Sequence, residues 1–354
     1  MPNTHNDIFT YLKWRGDLSF EQDKFNEVDG FILSQLTFLD LSHILREKML
    51  LKDLIKIYFE KNKKEAIKLG LIIPDKIVDL IYSLAKYKRF ANIEISNYQE
   101  RFDKVRKEQF AGVSFHIDNE LIVAYKGTDD TLIGWEEDFN MIISFPIAAQ
   151  NSALSYLNDV AEAFPDKSIR LVGHSKGGNL AMYACIYASD RLKDRIKKVY
   201  NYDGPGFELK HLDMEKYEKV KTKIKTIIPE HSVIGMIFSQ MGKIKVVKSK
   251  ARGLNQHNGL TWWVEGRKFI KTSQRTESLN FSKSLNELVD TLTEEERISF
   301  CKSLEKYIET SGARTLVDLN NSKKQGLLAT KVFTKQDRAL FMKLIKIAIK
   351  NKIL

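Results

Sequence analysis

Hydrophobic residues in the first hundred positions of the 354-residue chain recur mostly every three to four residues. Residues 31–62 follow this rhythm without a proline or glycine, and residues 73–90 repeat it with Pro74 near the start. A period close to 3.6 residues is typical of helices that bury one face, and proline is tolerated in a first helical turn. We therefore expect mostly helix up to about residue 104, covering a sheet or shaping a pocket.

The pattern changes to short β-rich segments between about residues 105 and 272. Two of them, 113–117 and 120–127, are separated by Asp118-Asn119, which favours a hairpin turn. Strand-like and helix-like segments then alternate. The strand candidates are residues 168–175, 197–204, 223–230, 243–250 and 261–266, and the helix candidates are residues 151–164 and 177–192. This alternation predicts an α/β fold with a mainly parallel sheet flanked by helices.

The last part of the chain is again predicted to be helical. Thr293, followed three residues later by Glu296, is a capping-box signature for a helix that starts there. We therefore expect a helical N-terminal region of residues 1–104 packed on the core, an α/β core of residues 105–272, and a helical C-terminal region of residues 273–354.

The final segment is basic and amphipathic. Its apolar face holds Leu340, Phe341, Leu344, Ile345 and Ala348, and its lysines on the other face are Lys343, Lys346 and Lys350. The whole chain has 57 basic and 46 acidic residues, a net charge of +11. Such a helix either docks on the core or lies on an anionic membrane, and both interpretations stay open here. The chain carries no zinc-finger or aromatic RNA-binding signature, so we expect no nucleic-acid partner.

Composition excludes several classes of protein. The hydrophobic fraction of 43% and the charged fraction of 29% are ordinary for a globular protein, which excludes fibrous, disordered and multi-span membrane proteins. Two cysteines, Cys185 and Cys301, are too few for a disulfide framework or a four-cysteine zinc site. The N-terminal residues lack the apolar run of a signal peptide. We expect a soluble cytoplasmic protein with no metal and no cofactor.

The strongest chemical signal is the sequence Gly-His-Ser-Lys-Gly-Gly at residues 173–178. It contains G-x-S-x-G between a predicted strand and a predicted helix, which is the context of a nucleophile elbow. A serine on such a turn projects its hydroxyl above the sheet, and the glycines let strand and helix approach closely. The pattern predicts Ser175 as a nucleophile. It also predicts the backbone N–H of Lys176, at the positive end of the helix, as an oxyanion donor.

Two segments carry a resemblance to known families. GHSKGGNLAMYA (173–184) is similar to the nucleophile elbow of the α/β-hydrolase superfamily, and VAYKGTDDTLIGWEEDF (123–139) resembles the F-R-G-T/S…W…D segment of class 3 (fungal-type) lipases. The chain also resembles a bacterial lipase-like family through GHSKGGN (173–179) and DGPGF (203–207). The resemblance covers roughly residues 105–270 and implies an α/β-hydrolase-type sheet.

The resemblance also implies roles for residues in the first segment. It places Thr128 at the second oxyanion position, and it matches Trp135 and Asp138 to the tryptophan and aspartate of the lipases, with Asp138 orienting Thr128. Lys126 stands where the lipases have arginine. The spacing here is one residue longer than in the fungal lipases, so the resemblance does not define the conformation of this loop.

A serine nucleophile needs a general base and a group that orients the base. In α/β-hydrolases these follow in the order serine, acid, histidine, and His257 lies in the late loop where the resembled family carries its histidine. Two candidates for the acid remain. Asp203 ends the strand after the nucleophile, and Glu230 lies one strand later. Ser232, close to Glu230, stands at the position where an alignment to class 3 lipases would place the aspartate.

We therefore expect a carboxylic-ester hydrolase, lipase- or esterase-like, that acts through an acyl-enzyme on an ester or lipid, with phospholipid or lysophospholipid as one option. The apolar segments 143–149 and 232–238 are interpreted either as lining an acyl site or lid, or as core. Two alternatives stay open: a catalytically inactive α/β-hydrolase-fold binding protein, and a basic protein that binds nucleic acid or another acidic partner.

Overall fold

The computed structural model describes residues 6–70, 73–311, 315 and 331–352. Its strands include β1 (Met49–Leu50), β2 (Glu94–Asp103), β3 (Glu108–Ile117), β4 (Glu120–Tyr125), β5 (Ser168–His174), β6 (Ile196–Tyr202), β7 (Ile224–Pro229), β8 (Lys243–Val247), β9 (Val264–Glu265) and β10 (Lys268–Phe269). Its helices include α1 (Ile8–Arg15), α2 (Glu27–Gln35), α3 (Leu51–Lys61), α4 (Lys76–Leu84), α5 (Lys88–Ala91), α6 (Leu132–Asn140), α7 (Ala148–Ala163), α8 (Lys176–Tyr187), α9 (Asp190–Arg195), α10 (Met214–Glu218), α11 (Thr276–Asp290), α12 (Glu294–Ser311) and α13 (Lys335–Lys350).

Strands β1 to β8 form one sheet in sequence order. The first four strands pair antiparallel, and the four pairings from β4 to β8 are parallel. Asp118, in the tight turn between β3 and β4, has φ 51°, a conformation that aspartate and asparagine tolerate better than most residues. The predicted hairpin is therefore present, and the prediction of a mainly parallel sheet flanked by helices is confirmed.

Helices cover both faces of this sheet. Successive side chains of β4 pack alternately in two different core clusters, one on each face. Leu121 and Val123 pack in a core cluster with α7 and α8, whereas Ile122 and Ala124 pack in a second cluster with the N-terminal helices. Successive side chains of a strand point to opposite faces, so a strand covered on both sides is apolar at every position. This is why residues 121–125 read as a continuous hydrophobic run.

The N-terminal region is less helical than its sequence predicts. The expected helix over residues 31–62 is interrupted, because Asp40 accepts hydrogen bonds from the backbone and hydroxyl of Ser42 and forms a turn. Strand β1 follows and pairs with β2. Strand β2 was missed because it lies near the edge of the sheet and most of its residues are polar, so no hydrophobic alternation marks it. Its stability comes from pairing along β3.

The strand candidate at residues 261–266 was wrong as a member of the main sheet. Only Val264–Glu265 is extended, and it pairs with β10 in a separate two-stranded sheet. The preceding residues form a short 3-10 turn, and Trp262 is buried with its Nε1–H donating to the carbonyl of Gln256 at 2.7 Å. The Trp262 side chain therefore anchors a loop and not a strand of the main sheet.

The C-terminal helices pack on one another and on the core. The capping box of α12 is present, since Glu296 accepts from the Thr293 N–H and Thr293 Oγ1 accepts from the Glu296 N–H. Helix α13 packs Ala348 against Phe281 of α11 and against Val233 of the core. Across the described ranges, no helix is long and apolar enough to cross a membrane.

Candidate active site

The turn between β5 and α8 holds Ser175 in strained backbone geometry, with φ 57° and ψ −134°. Positive φ is costly for a residue with a side chain, and it is the conformation that a nucleophile elbow imposes. A Cβ on Gly173 would lie 2.1 Å from the backbone of Gly177, so only glycine permits this approach of strand and helix. Ser175 is partly exposed, and its hydroxyl bonds to no other residue in the described part of the chain.

Asp203 and His257 lie together at the end of the next parallel strand. His257 is at the end of a 3-10 helix (Gly253–His257), and its Nδ1 lies 2.7 Å from Asp203 Oδ2. Asp203 is fully buried, whereas 19% of the His257 side chain is exposed. The other carboxylate oxygen of Asp203 accepts a hydrogen bond of 2.5 Å from Ser232 Oγ. A buried carboxylate that receives both bonds is well suited to hold the imidazole in one orientation.

Glu230, the alternative acid, has different partners. Its Oε2 accepts from Arg275 Nε at 3.0 Å. Among the described residues, the carboxylate that bonds to His257 is Asp203. Ser232, which the resemblance to class 3 lipases matched to their aspartate, donates its hydroxyl to Asp203. The geometry therefore favours Asp203 over Glu230.

The loop after β4 faces the elbow. A Cβ on Gly127 would lie 3.3 Å from Ser175 Cβ, so this loop passes beside the nucleophile. The next residue, Thr128, is buried and donates its hydroxyl to Asp138 Oδ2 at 2.6 Å. Neither the N–H of Thr128 nor that of Lys176 donates to another residue in the described ranges. An oxyanion hole requires N–H groups of this kind, with no other partner.

Asp138 and Trp135 come from the same helix, α6. Burial raises the pKa of the Asp138 carboxyl to about 6, although the Lys176 cation and the Thr128 hydroxyl both favour the ionised form. Trp135 is partly buried, packs near Phe139, and its Nε1–H has no hydrogen-bond partner in the described residues. The hydrogen bond that the resemblance implies between Asp138 and Thr128 is thus present.

A buried ion pair lies under the elbow, and the sequence analysis did not identify it. Lys176 Nζ is 2.7 Å from Glu137 Oε2, and each side chain is 1% exposed. The signal available in the sequence was a lysine directly after the nucleophile, together with the acidic run at residues 136–138. Lys126, in place of the lipase arginine, is also buried and pairs with Asp129 at 3.1 Å and Glu100 at 3.3 Å.

The described residues include no group of three or more His, Cys, Asp or Glu side chains that would hold a metal ion. The remaining histidines after the nucleophile lie outside the Asp203–His257 pair. His211 is half exposed and stacks on Phe145, and the His231 N–H donates to Gln256 Oε1 at 2.8 Å.

A parallel sheet whose central strand turns sharply at a serine into a helix, with a carboxylate at the end of the next strand, defines a lipase-like α/β-hydrolase fold. The chain belongs to the Mbeg1-like family, whose sequence model matches residues 84–306, more than half of the chain. No curated protein matches it.

Solved structures that are similar to this chain include three fungal lipases. Lip2 lipase from Yarrowia lipolytica is 13% identical, with 66% of this chain and 89% of that chain covered and a TM-score of 0.37. Lipase II from Rhizopus niveus is 14% identical, with 47% and 70% covered and a TM-score of 0.33. A triacylglycerol lipase from Penicillium expansum is 13% identical, with 52% and 76% covered and a TM-score of 0.33.

Proposed function

We propose that the protein is a serine hydrolase that cleaves carboxylic esters with Ser175, His257 and Asp203. The observation that carries the proposal is the 2.7 Å hydrogen bond between His257 Nδ1 and the buried Asp203 carboxylate, next to a serine in strained elbow geometry. With Nδ1 protonated and donating to Asp203, the other ring nitrogen is left as an acceptor for the serine proton.

The reaction would proceed through an acyl-enzyme. His257 removes the proton from Ser175 Oγ as that oxygen attacks the ester carbonyl carbon, and the carbonyl oxygen becomes an oxyanion. His257 then returns the proton to the alcohol as the carbon–oxygen bond of the ester breaks. Water, activated by the same histidine, hydrolyses the acyl-enzyme and restores the serine.

The oxyanion would be held by the backbone N–H of Lys176 and by Thr128. Each such donor is worth roughly 3 kcal/mol of transition-state stabilisation in enzymes where one has been removed. Support comes from the position of the Thr128 loop beside Ser175 and from N–H groups that have no other partner among the described residues.

An aromatic cleft next to the elbow is our candidate site for the acyl chain. It is lined in part by Met141, Phe145, Phe207, Phe238 and Asn179, so both apolar segments singled out in the sequence contribute to it. The cleft encloses about 10 Å³, room for about one water, so an acyl chain would enter only if these side chains moved apart. Asn179 lies one helical turn after Ser175 and donates to the carbonyl of Gly206 at 2.9 Å, which places the cleft close to the nucleophile.

We also propose that the ester belongs to a phospholipid or lysophospholipid at an anionic membrane. Helix α13 leaves Phe341, Met342 and Ile349 half or more exposed, and Lys343 and Lys346 on the same helix are exposed as well. Apolar side chains between lysines suit insertion among acidic lipid headgroups.

The test is labelling with a fluorophosphonate probe, which reacts with activated serines. The wild type should be labelled, and Ser175→Ala and His257→Ala should not. His43→Ala, which alters an exposed histidine in an N-terminal loop, is the matched control and should be labelled like the wild type. Absence of labelling in the wild type, with and without detergent, would refute the proposal. Esters of graded acyl length would then define the preferred substrate.

A further inference from the structure

The side chain of Lys176 is buried directly beneath the elbow and is fully bonded. Its ammonium group reaches Glu137 Oε2 at 2.7 Å, the carbonyl of Gln109 at 3.1 Å and Gln109 Oε1 at 2.9 Å. An ammonium has three hydrogens, and three acceptors surround this one. The lysine that follows the nucleophile is therefore tied to strand β3 and to helix α6.

Glu137 is equally well bonded from the other side. Its Oε2 also accepts from the N–H of Gln109 at 3.1 Å, and its Oε1 accepts from the N–H of Ala149 at 2.8 Å. Together with Lys176, this one carboxylate connects α6 to β3, to the start of α7 and to the start of α8. These contacts leave neither the lysine nor the glutamate free to move without breaking several hydrogen bonds.

Helix α6 contacts both candidate oxyanion residues through consecutive side chains. Glu137 bonds to the side chain of Lys176, and the backbone N–H of Lys176 is one candidate donor. Asp138 bonds to the hydroxyl of Thr128, and the backbone N–H of Thr128 is the other candidate donor. Neighbouring residues of a helix project about 100° apart, so two adjacent carboxylates reach two different partners. A Cβ on Gly134 of the same helix would lie 3.2 Å from Thr128 Cγ2, which shows how closely α6 and this loop pack.

We propose that the Lys176–Glu137 pair is a positioning device that sets the separation of the two oxyanion donors. The inference rests on the proposed hydrolase function. A buried ion pair is weak support for stability, because apolar residues of similar size often stabilise a core as well or better. Oxyanion stabilisation, in contrast, depends on donors held within a fraction of an ångström of the developing charge.

The experiment compares two buried ion pairs. The double variant Lys176→Met with Glu137→Gln removes both charges of the pair together. The matched control is Arg89→Met with Asp29→Asn, which neutralises a pair at 2.6 Å whose side chains are 0% exposed, between α5 and α2. For each protein, Tm is measured first, and then kcat and KM for the best ester, together with the rate of fluorophosphonate labelling.

If the pair positions the donors, the Lys176/Glu137 variant should lose kcat by roughly tenfold or more at nearly unchanged KM. At temperatures below its Tm, the Arg89/Asp29 variant should have the kcat of the wild type. This should hold even if its Tm falls as far as that of the Lys176/Glu137 variant. Glu137→Asp, which keeps both charges but shortens the reach, should be folded and also lower kcat.

Wild-type kcat in the folded Lys176/Glu137 variant, or in folded Glu137→Asp, would overturn the inference. Equal losses of kcat in both double variants would overturn it too, because a general loss of stability would then be the cause. An unlabelled, inactive wild type is a different result: it refutes the hydrolase function, and the positioning role with it.

Discussion

His174 and His257 are stacked, with ring centres 4.6 Å apart and planes inclined by 29°. His174 Nε2 is also 2.8 Å from the backbone carbonyl of His257, so its N–H donates to the loop that carries the proposed general base. Burial, aided by the neighbouring His257, lowers the pKa of His174 to about 3. His174 is therefore neutral near pH 7 and holds His257 without placing a positive charge beside it.

His174→Phe tests this positioning role. Phenylalanine keeps a flat ring against His257 and Phe31 but cannot donate to the His257 carbonyl. We expect a loss of about 1 kcal/mol in the free energy of unfolding. We also expect kcat/KM to fall by roughly tenfold, since the general base is less well oriented. His43→Phe is the control, and equal kcat/KM in the wild type and His174→Phe would contradict the role.

Stability should fall as the pH is lowered below about 6.5, the ordinary pKa of histidine. Burial, and then the nearby Lys167 and Lys48, lowers the pKa of His116 to about 4. In mildly acidic solution the unfolded chain therefore binds protons at His174 and His116 that the folded protein does not bind. Each contributes a loss of up to about 1.4 kcal/mol per pH unit. Asp138, whose raised pKa of about 6 lets the folded protein bind a proton there first, offsets one of these two losses below about pH 6.

Urea unfolding near neutral pH and in mild acid measures this loss. His174→Phe removes one of the two groups, so its stability should depend less steeply on pH than that of the wild type. An equally steep dependence in the variant would show that His174 is protonated in the folded protein.

Thr128→Val should lower kcat by roughly a hundredfold with little change in KM. Valine has the same shape and keeps the backbone N–H, but it has no hydroxyl to bond to Asp138, so the candidate oxyanion donor is less well positioned. Asp138→Asn retains an oxygen that accepts from Thr128, so we expect a smaller loss of about tenfold. Steady-state kinetics on one ester gives both values. A larger effect at Asp138 than at Thr128 would indicate that the carboxylate has a role of its own.

Asp203→Asn should lower kcat by about 10⁴, because an amide at this position favours the wrong tautomer of His257. Ser232 Oγ lies 2.5 Å from Asp203 Oδ1, so the two positions are adjacent although they follow different strands. The double variant Asp203→Ser with Ser232→Asp should therefore recover at least tenfold over Asp203→Ser alone. No recovery in a folded double variant would show that only the position after β6 reaches the histidine.

Vesicle sedimentation tests the proposed membrane contact. The protein should pellet with anionic vesicles and not with zwitterionic ones, and salt should weaken the binding. Phe341→Ser with Met342→Ser should reduce pelleting severalfold. Trp14→Ser, which removes a side chain that is 74% exposed on α1, should not. Equal binding by all three proteins would rule out α13 as the contact.

Structural features that depend on residues close together in the sequence were predictable. The strand, the glycines and the helix around Ser175 are contiguous in the chain, and the capping box of α12 involves two residues three positions apart. Strand β2 was not predictable in this way, because its many polar residues give no hydrophobic alternation and its partner β3 supplies the hydrogen bonds. Aromatic residues at 262 and 263 suggested a strand, whereas burial of Trp262 makes them part of a loop.

Short stretches of the sequence were thus enough to indicate an α/β protein with a serine on a sharp turn. The period of the hydrophobic residues and the positions of the glycines determine structure within a few residues. These stretches left two acids open, since Asp203 and Glu230 both end strands beyond the nucleophile. Only the folded chain shows that Ser232 and His257 converge on Asp203, and that Glu137 reaches Lys176 from 39 positions away. Such contacts depend on strand order and on burial, which force distant polar groups to satisfy one another.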